Sequence, residues 1–76
     1  MTLTLAGAKK GNSLQITGID AGKKLNKRMY EIGLNRGSNL KVIKNDVGPI
    51  IVNFENTKIA LGRGLCEKIL VQEVSY

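Results

Sequence analysis

The side chains that could do chemistry in this 76-residue chain are few and scattered. There is no histidine, so the single cysteine, Cys66, has no imidazole to act as its base. An unactivated thiol is a weak nucleophile, and we predict that Cys66 is a small core residue. No two carboxylates are spaced for acid–base catalysis or for a hard cation, and we expect all of them on the solvated surface: Asp20, Glu31, Asp46, Glu55, Glu67 and Glu73. The sequence therefore predicts no catalytic, metal-binding or cofactor-binding residue, and no enzyme.

The segment Gly62-Arg63-Gly64 begins like a glycine-rich phosphate loop. The third glycine of a dinucleotide fingerprint is missing, and the segment precedes a predicted strand, where the fingerprint would open a helix. We interpret it as a loop or single 3₁₀ turn that leads into the final strand.

Basic residues are the most informative group in the sequence. Twelve Lys and Arg against six Asp and Glu give a net charge of +6, which favours an anionic partner such as RNA, a lipid surface or an acidic protein face. Lys24, Lys27 and Arg28 lie at helical spacing, which fits both an ordinary solvated helix face and a docking surface. The chain has three aromatic residues, Tyr30, Phe54 and Tyr76. These are too few to stack well on the bases of a nucleic acid.

A helix is the best-defined element of the sequence. It presents one apolar stripe at positions i, i+4 and i+7, which we expect to pack on the core and which consists of Leu25, Met29 and Ile32. The helix is predicted to begin after Asp20 or Gly22 and to end at Gly33 in the left-handed conformation. A Schellman motif would follow there, with Leu34 covering the last turn and Gly37 continuing the chain reversal.

Strands account for most of the remaining chain, because apolar and polar residues alternate over five short segments. The expected core-facing residues are Leu14, Ile16 and Gly18; Leu40 and Val42; Ile50, Val52 and Phe54; Ile59 and Leu61; and Ile69 and Val71. A tight turn at residues 55–57 joins the third and fourth strands into a hairpin. Ile51 and Leu70 fall on the opposite strand faces, where as neighbours they would form an apolar patch for protein contact.

These elements predict a mainly β fold with one or two short helices, a small SH3-like five-stranded barrel, because strong bending lets each short strand bury one face. A chain of 76 residues is expected to form a single domain over residues 1–76. The apolar runs are too short for a signal peptide or a membrane helix, and one unpaired cysteine fits a reducing compartment. We therefore expect a cytoplasmic protein.

Several motifs can be read together as a family pattern. They are Lys10-Gly11, Gly18-Ile19, the segment Arg28-Met29-Tyr30-Glu31-Ile32-Gly33-Leu34, Gly37, Pro49-Ile50-Ile51-Val52 and Ile59-Ala60-Leu61-Gly62-Arg63. The set resembles the ferrous iron transport protein A (FeoA) family over nearly the whole chain. Its most specific part runs from Arg28 to Gly37, where an arginine, a glutamate and two glycines recur at fixed spacing.

The resemblance implies a bacterial cytoplasmic SH3-like module that serves the ferrous iron transporter FeoB as an accessory or regulator, by contact with the cytosolic GTPase-bearing part. It implies no cofactor, no small-molecule substrate, and a membrane link only through the transporter. Similar domains also occur at the C-terminus of iron-dependent repressors. Stimulation, inhibition and tethering of the GTPase are all compatible with the residues.

Without histidine or paired carboxylates, the chain is expected to act by contact and not by carrying iron. The alternative interpretation is a small-barrel nucleic-acid-binding protein, which the charge of +6 favours. The candidate partner-binding residues are Lys24, Lys27, Arg28, Glu31, Arg36, Ile51 and Leu70.

Overall fold

The computed structural model describes residues 3–20 and 22–74. Its strands are β1 (Leu3–Thr4), β2 (Ser13–Ile19), β3 (Asn39–Lys44), β4 (Ile50–Phe54), β5 (Thr57–Leu61) and β6 (Ile69–Glu73). Two α-helices, α1 (Lys23–Ile32) and α2 (Arg63–Cys66), and a 3₁₀ turn over Leu5–Gly7 complete the described elements. The predicted mainly β class with short helices is confirmed.

The strands form one antiparallel sheet in the order β1-β6-β2-β3-β4-β5. The sheet bends where its register shifts, between Ile16 and Gly18 on β2 and between Val42 and Lys44 on β3. It has six strands instead of the expected five, because β1 is only two residues long and too short to show alternation. No pairing joins β1 to β5 within residues 3–20 and 22–74, so the SH3-like sheet is strongly bent but not closed.

The core lies on the face of the sheet that alternation predicted. Its buried side chains include Leu14, Ile16, Leu40, Val42, Ile50, Val52, Leu61, Ile69 and Val71, together with Leu5, Ala8, Leu34 and Cys66. The helix adds Met29, which is fully buried and contributes roughly 1.5–3 kcal/mol. The predicted apolar stripe is wrong at Ile32, which is 38% exposed, and is only half-buried at Leu25. Ile32 occupies the last turn of α1, immediately before the chain reverses.

The reversal after α1 has the predicted Schellman geometry. Gly33 adopts φ 96° and ψ 6°, and its N–H donates to the carbonyl of Tyr30 at 3.0 Å. The N–H of Leu34 donates to the carbonyl of Met29 at 2.9 Å, which closes the wider ring of the motif. Gly37, at φ 95°, then fixes the turn on β2, because its N–H donates to the carbonyl of Ile16 at 2.7 Å.

The two remaining turns differ in how well they were predicted. The β4–β5 hairpin turns through Glu55 and Asn56, both with positive φ, as expected for a two-residue loop. Residues 63–66, expected to be a loop or 3₁₀ turn, form the single-turn helix α2 instead. The N–H of Cys66 donates to the carbonyl of Gly62 at 3.1 Å, an α-type bond that a glycine-rich segment can make despite its low helix propensity.

Candidate functional site

The most coherent charged surface lies on α1, where Lys24, Lys27, Arg28 and Glu31 are all exposed. Together with the half-buried Leu25, these side chains line a shallow concavity of about 410 Å³. Their helical spacing brings them onto one face, which we call the basic helix surface. Four of the seven predicted partner-binding residues therefore meet at one place.

The charges of α1 are arranged against the stability of the helix. The partial positive charge at a helix N-terminus is stabilised by acidic residues, yet the first turn has none and carries Lys23 and Lys24. The partial negative charge at the C-terminus is stabilised by basic residues, yet the last turn has none and carries Glu31. Gly22, the N-cap residue, provides no side-chain hydrogen bond that would compensate.

Most of the positive charge on this surface is available to a partner. Lys27 Nζ lies 4.0 Å from Glu31 Oε1, in an exposed ion pair of the weak kind. In residues 3–20 and 22–74, Lys24 and Arg28 have no carboxylate within ion-pair distance. The surface therefore keeps a net positive charge and offers hydrogen-bond donors to an acidic face.

Arg36 lies beside the basic helix surface on the turn between Gly33 and Gly37, and not within it. The turn is held by Ser38, whose Oγ accepts from the N–H of Asn35 at 2.9 Å. Arg36 is exposed and lines two further concavities of about 460 and 480 Å³. The second of these also contains Tyr30, which is 73% exposed.

Tyr30 was missed as a candidate, although the sequence held a signal for it. An aromatic residue that follows Met29 directly is rotated away from the buried stripe, so its ring must face solvent or a partner. Exposed tyrosine beside arginine is a combination enriched at the centres of protein interfaces. The structure thus adds Tyr30 to the neighbourhood of Arg36.

The two apolar candidates, Ile51 and Leu70, do not form one patch. Ile51 lies on β4 and Leu70 on β6, and the sheet order places β2 and β3 between these strands. Both side chains are half-buried. Leu70 packs near Gly18 of β2, whereas Ile51 lines a separate cavity beside β3 and β5.

The chemistry of the described residues is otherwise sparse. Cys66 is fully buried, and its thiol lies 3.9 Å from the carbonyl oxygen of Leu61. Burial raises the pKa of this thiol from 9.0 to about 11, while the charge of Arg63 acts in the opposite direction, so the reactive thiolate is disfavoured. Over residues 3–20 and 22–74, no group of three or more His, Cys, Asp or Glu side chains could hold a metal ion. Within the same ranges, no helix is long and apolar enough to cross a membrane.

The six-stranded antiparallel sheet and the cationic helix surface define a small SH3-like protein. The family model of the FeoA domain matches residues 3–73, and the chain belongs to this family. A relative from Methanocaldococcus jannaschii, provisionally named Fe(2+) transport protein A, is 44% identical over 72 residues, which are 95% of this chain and 88% of the relative.

Solved structures of FeoA proteins have the same fold. The crystal structure of an iron uptake regulatory protein (FeoA) superposes with a TM-score of 0.87 at 24% identity, over 97% of this chain and 99% of that one. The solution structure of FeoA from Chlorobium tepidum gives a TM-score of 0.84 at 28% identity, over 96% of this chain and 71% of that one. The resemblance read from the motifs of the sequence is therefore confirmed.

Proposed function

We propose that this chain acts in ferrous iron uptake by contacting the cytosolic, GTPase-bearing part of the transporter FeoB, and that the basic helix surface makes this contact. Membership of the FeoA family and the name of the M. jannaschii relative support the link to iron transport. The charge order of α1 carries the assignment of the surface, because charges that oppose the helix dipole serve no purpose in folding.

The basic helix surface would act first on the rate of association. Exposed cations attract an acidic partner over about one Debye length, roughly 10 Å at 0.1 M salt, before any side chains touch. Lys24 and Arg28 are suited to this role because no described carboxylate neutralises them. Arg36 and Tyr30, beside this surface, would then supply the desolvated contacts that slow dissociation.

The proposed role is non-catalytic and cytoplasmic, with the membrane reached only through the transporter. The one thiol is buried and held in its neutral form. Two of the exposed carboxylates lie beside lysines, at 4.0 Å for Glu31 and 3.9 Å for Asp46. With a buried thiol and carboxylates that lie beside lysines, the chain would influence a GTPase by binding it.

Nucleic-acid binding is less well supported by the same surface. Phe54 packs partly against the core, and Tyr76 lies outside the described residues. In the described part of the chain, Tyr30 is thus the single well-exposed aromatic side chain and gives one stacking position, where single-strand binders use several. A steep loss of affinity for oligonucleotides with salt would favour this alternative.

The test is charge reversal of Lys24, Lys27 and Arg28 to glutamate. The association rate with the cytosolic domain of FeoB would be measured by surface plasmon resonance at about 50 and about 200 mM salt. We expect the rate at low salt to fall at least about tenfold and its salt dependence to shrink, because electrostatic steering is lost.

The matched control reverses Lys9, Lys41 and Lys68, which are exposed and contribute to none of the four concavities. It changes the net charge equally and should lower the rate less. If the association rate fell equally in both variants, the effect would come from overall net charge and not from the basic helix surface. Unchanged rates in the helix variant would remove the basic helix surface from the contact.

A further inference from the structure

Three lysines from distant parts of the chain meet around an open cavity of about 390 Å³. Lys10 comes from the turn before β2, Lys44 from the end of β3 and Lys58 from β5. The floor contains two half-buried isoleucines, Ile43 and Ile51. We call this the lysine cavity, and it shares no residue with the basic helix surface.

The wall of the lysine cavity is held in place by hydrogen bonds to the rest of the fold. Asn45 Nδ2 donates to the carbonyl of Ala6 at 3.1 Å and also to the carbonyl of Ala8. Arg63 Nη2 donates to the carbonyl of Asp46 at 3.0 Å. A wall held by these bonds is preformed, so its backbone would lose little conformational entropy on binding.

The backbone that carries Lys10 and Lys58 is also held by regular structure. The turn that carries Lys10 is joined to β3, because the N–H of Gly11 donates to the carbonyl of Val42 at 2.8 Å. Val42 in turn donates its N–H to the carbonyl of Asn12 at 3.0 Å. Lys58 is set by the β4–β5 register, in which it lies opposite Asn53.

The charges around the lysine cavity do not balance. Asp46 is its one acidic residue, with its Oδ1 3.9 Å from Lys44 Nζ and accepting the N–H of Val47 at 2.7 Å. Lys10 and Lys58 have no carboxylate within ion-pair distance over residues 3–20 and 22–74. The cavity therefore combines an apolar floor with two uncompensated positive charges at its rim.

We propose that the lysine cavity binds an acidic segment of a protein partner, with an aliphatic side chain on Ile43 and Ile51 and carboxylates facing Lys10 and Lys58. Its volume lies in the range of ligand sites, and its polar groups are few and convergent. A lipid surface fits less well, because membrane binding needs a row of projecting apolar side chains. Val47, which follows Asp46, is 85% exposed, but both isoleucines of the floor are half-buried. This site is independent of the contact proposed for α1.

The probe is a blocked pentapeptide of alternating glutamate and leucine, titrated into the ¹⁵N-labelled protein and followed by NMR. We expect amide shifts centred on Lys44, Ile51 and Lys58. The variant Lys10→Glu/Lys58→Glu should bind about tenfold more weakly, since reversal replaces two attractions by two repulsions. The control Lys9→Glu/Lys68→Glu, of equal net charge, should stay within about twofold of the unchanged protein. Replacing the leucines of the peptide by alanine should also weaken binding, because the floor is apolar.

Amide shifts confined to α1 would overturn the proposal, since the peptide would then be bound to the basic helix surface. Equal weakening in both double variants would do the same, because only net charge would matter. The third refuting outcome concerns membranes. If anionic phosphatidylglycerol vesicles perturb these amides and the peptide does not, the cavity binds a lipid surface and the proposal of an acidic protein segment is wrong. The α1 contact is tested separately, by binding of FeoB to the variant with Lys24, Lys27 and Arg28 changed to glutamate, and that test does not depend on these results.

Discussion

Replacing Lys24 by glutamate separates the two roles that a charge on α1 can have, stability and binding. Lys24 lies in the first turn, where the partial positive charge of the helix N-terminus repels it. Glutamate at this position would instead be attracted, and it would face Lys27 at i+3 and Arg28 at i+4 in the favourable order. We therefore expect Lys24→Glu to stabilise the protein while it weakens binding to an acidic partner.

The magnitude follows from these two effects. Removing an unfavourable charge and adding a favourable one at a helix end are worth about 0.3–1 kcal/mol each at low salt. Turning like-charge neighbours into opposite-charge neighbours adds about 0.2–0.5 kcal/mol per pair. Because Lys24 is exposed and screened by solvent, we expect a net gain of about 1 kcal/mol in unfolding free energy. For a domain of this size that corresponds to a rise in Tm of about 4–8 °C.

Urea and thermal unfolding, followed by circular dichroism, provide the assay. The gain should be largest at low salt and should almost vanish at about 1 M salt, where the Debye length is about 3 Å. The control is Lys41→Glu, which makes the same change in net charge on β3, opposite the uncharged Ser13 and Asn53. Equal stabilities of the two variants, or a Lys24→Glu protein less stable than the original, would refute the argument that the charges of α1 oppose its dipole.

Two further predictions concern the fold. Gly33→Ala should lower the unfolding free energy by about 1–2 kcal/mol in urea titrations, because φ is +96° at this position. The matched control, Gly64→Ala within α2, should raise the unfolding free energy by about 0.4–1 kcal/mol. Equal effects of the two substitutions would contradict the left-handed helix end. The pKa of about 11 for Cys66, above the ordinary 9.0, means that its stabilisation is complete below about pH 9 and lost towards pH 11. The urea midpoints of the original protein and Cys66→Ala should therefore converge over that range, and a constant difference would contradict burial of the thiol.

Local signals made α1 and the strands predictable from sequence. The helix start after Gly22 and the stop at Gly33 each depend on residues within one turn of the boundary. Most core residues of the strands follow from alternation, because a strand presents every second side chain to the same face, although Phe54 and Ile59 are only partly buried. Grouping of Lys24, Lys27 and Arg28 needed only the helical period.

Features that depend on tertiary contacts could not be predicted in the same way. β1 has two residues and exists because Leu3 pairs with Val71 at the far end of the chain. The exposure of Ile32 depends on where the chain leaves α1, which its spacing from Met29 does not reveal. The lysine cavity was invisible because Lys10 and Lys58 are 48 positions apart in sequence, and only the sheet order brings them together.

The placement of the lysines says more than their number. If positive charge served only solubility, the same net charge could be kept with acidic residues in the first turn of α1 and basic residues in the last, and the helix would be more stable. The observed order of charges lowers the stability of α1 and leaves those charges free in solvent, which electrostatic steering requires. The lysine cavity has the opposite character, since hydrogen bonds from Asn45 and Arg63 fix its wall before any partner arrives. Charges that are free and solvated change mainly the association rate, whereas preformed apolar contacts flanked by charge change mainly the dissociation rate. A partner that used both surfaces would therefore be drawn to α1 and retained at β3–β5.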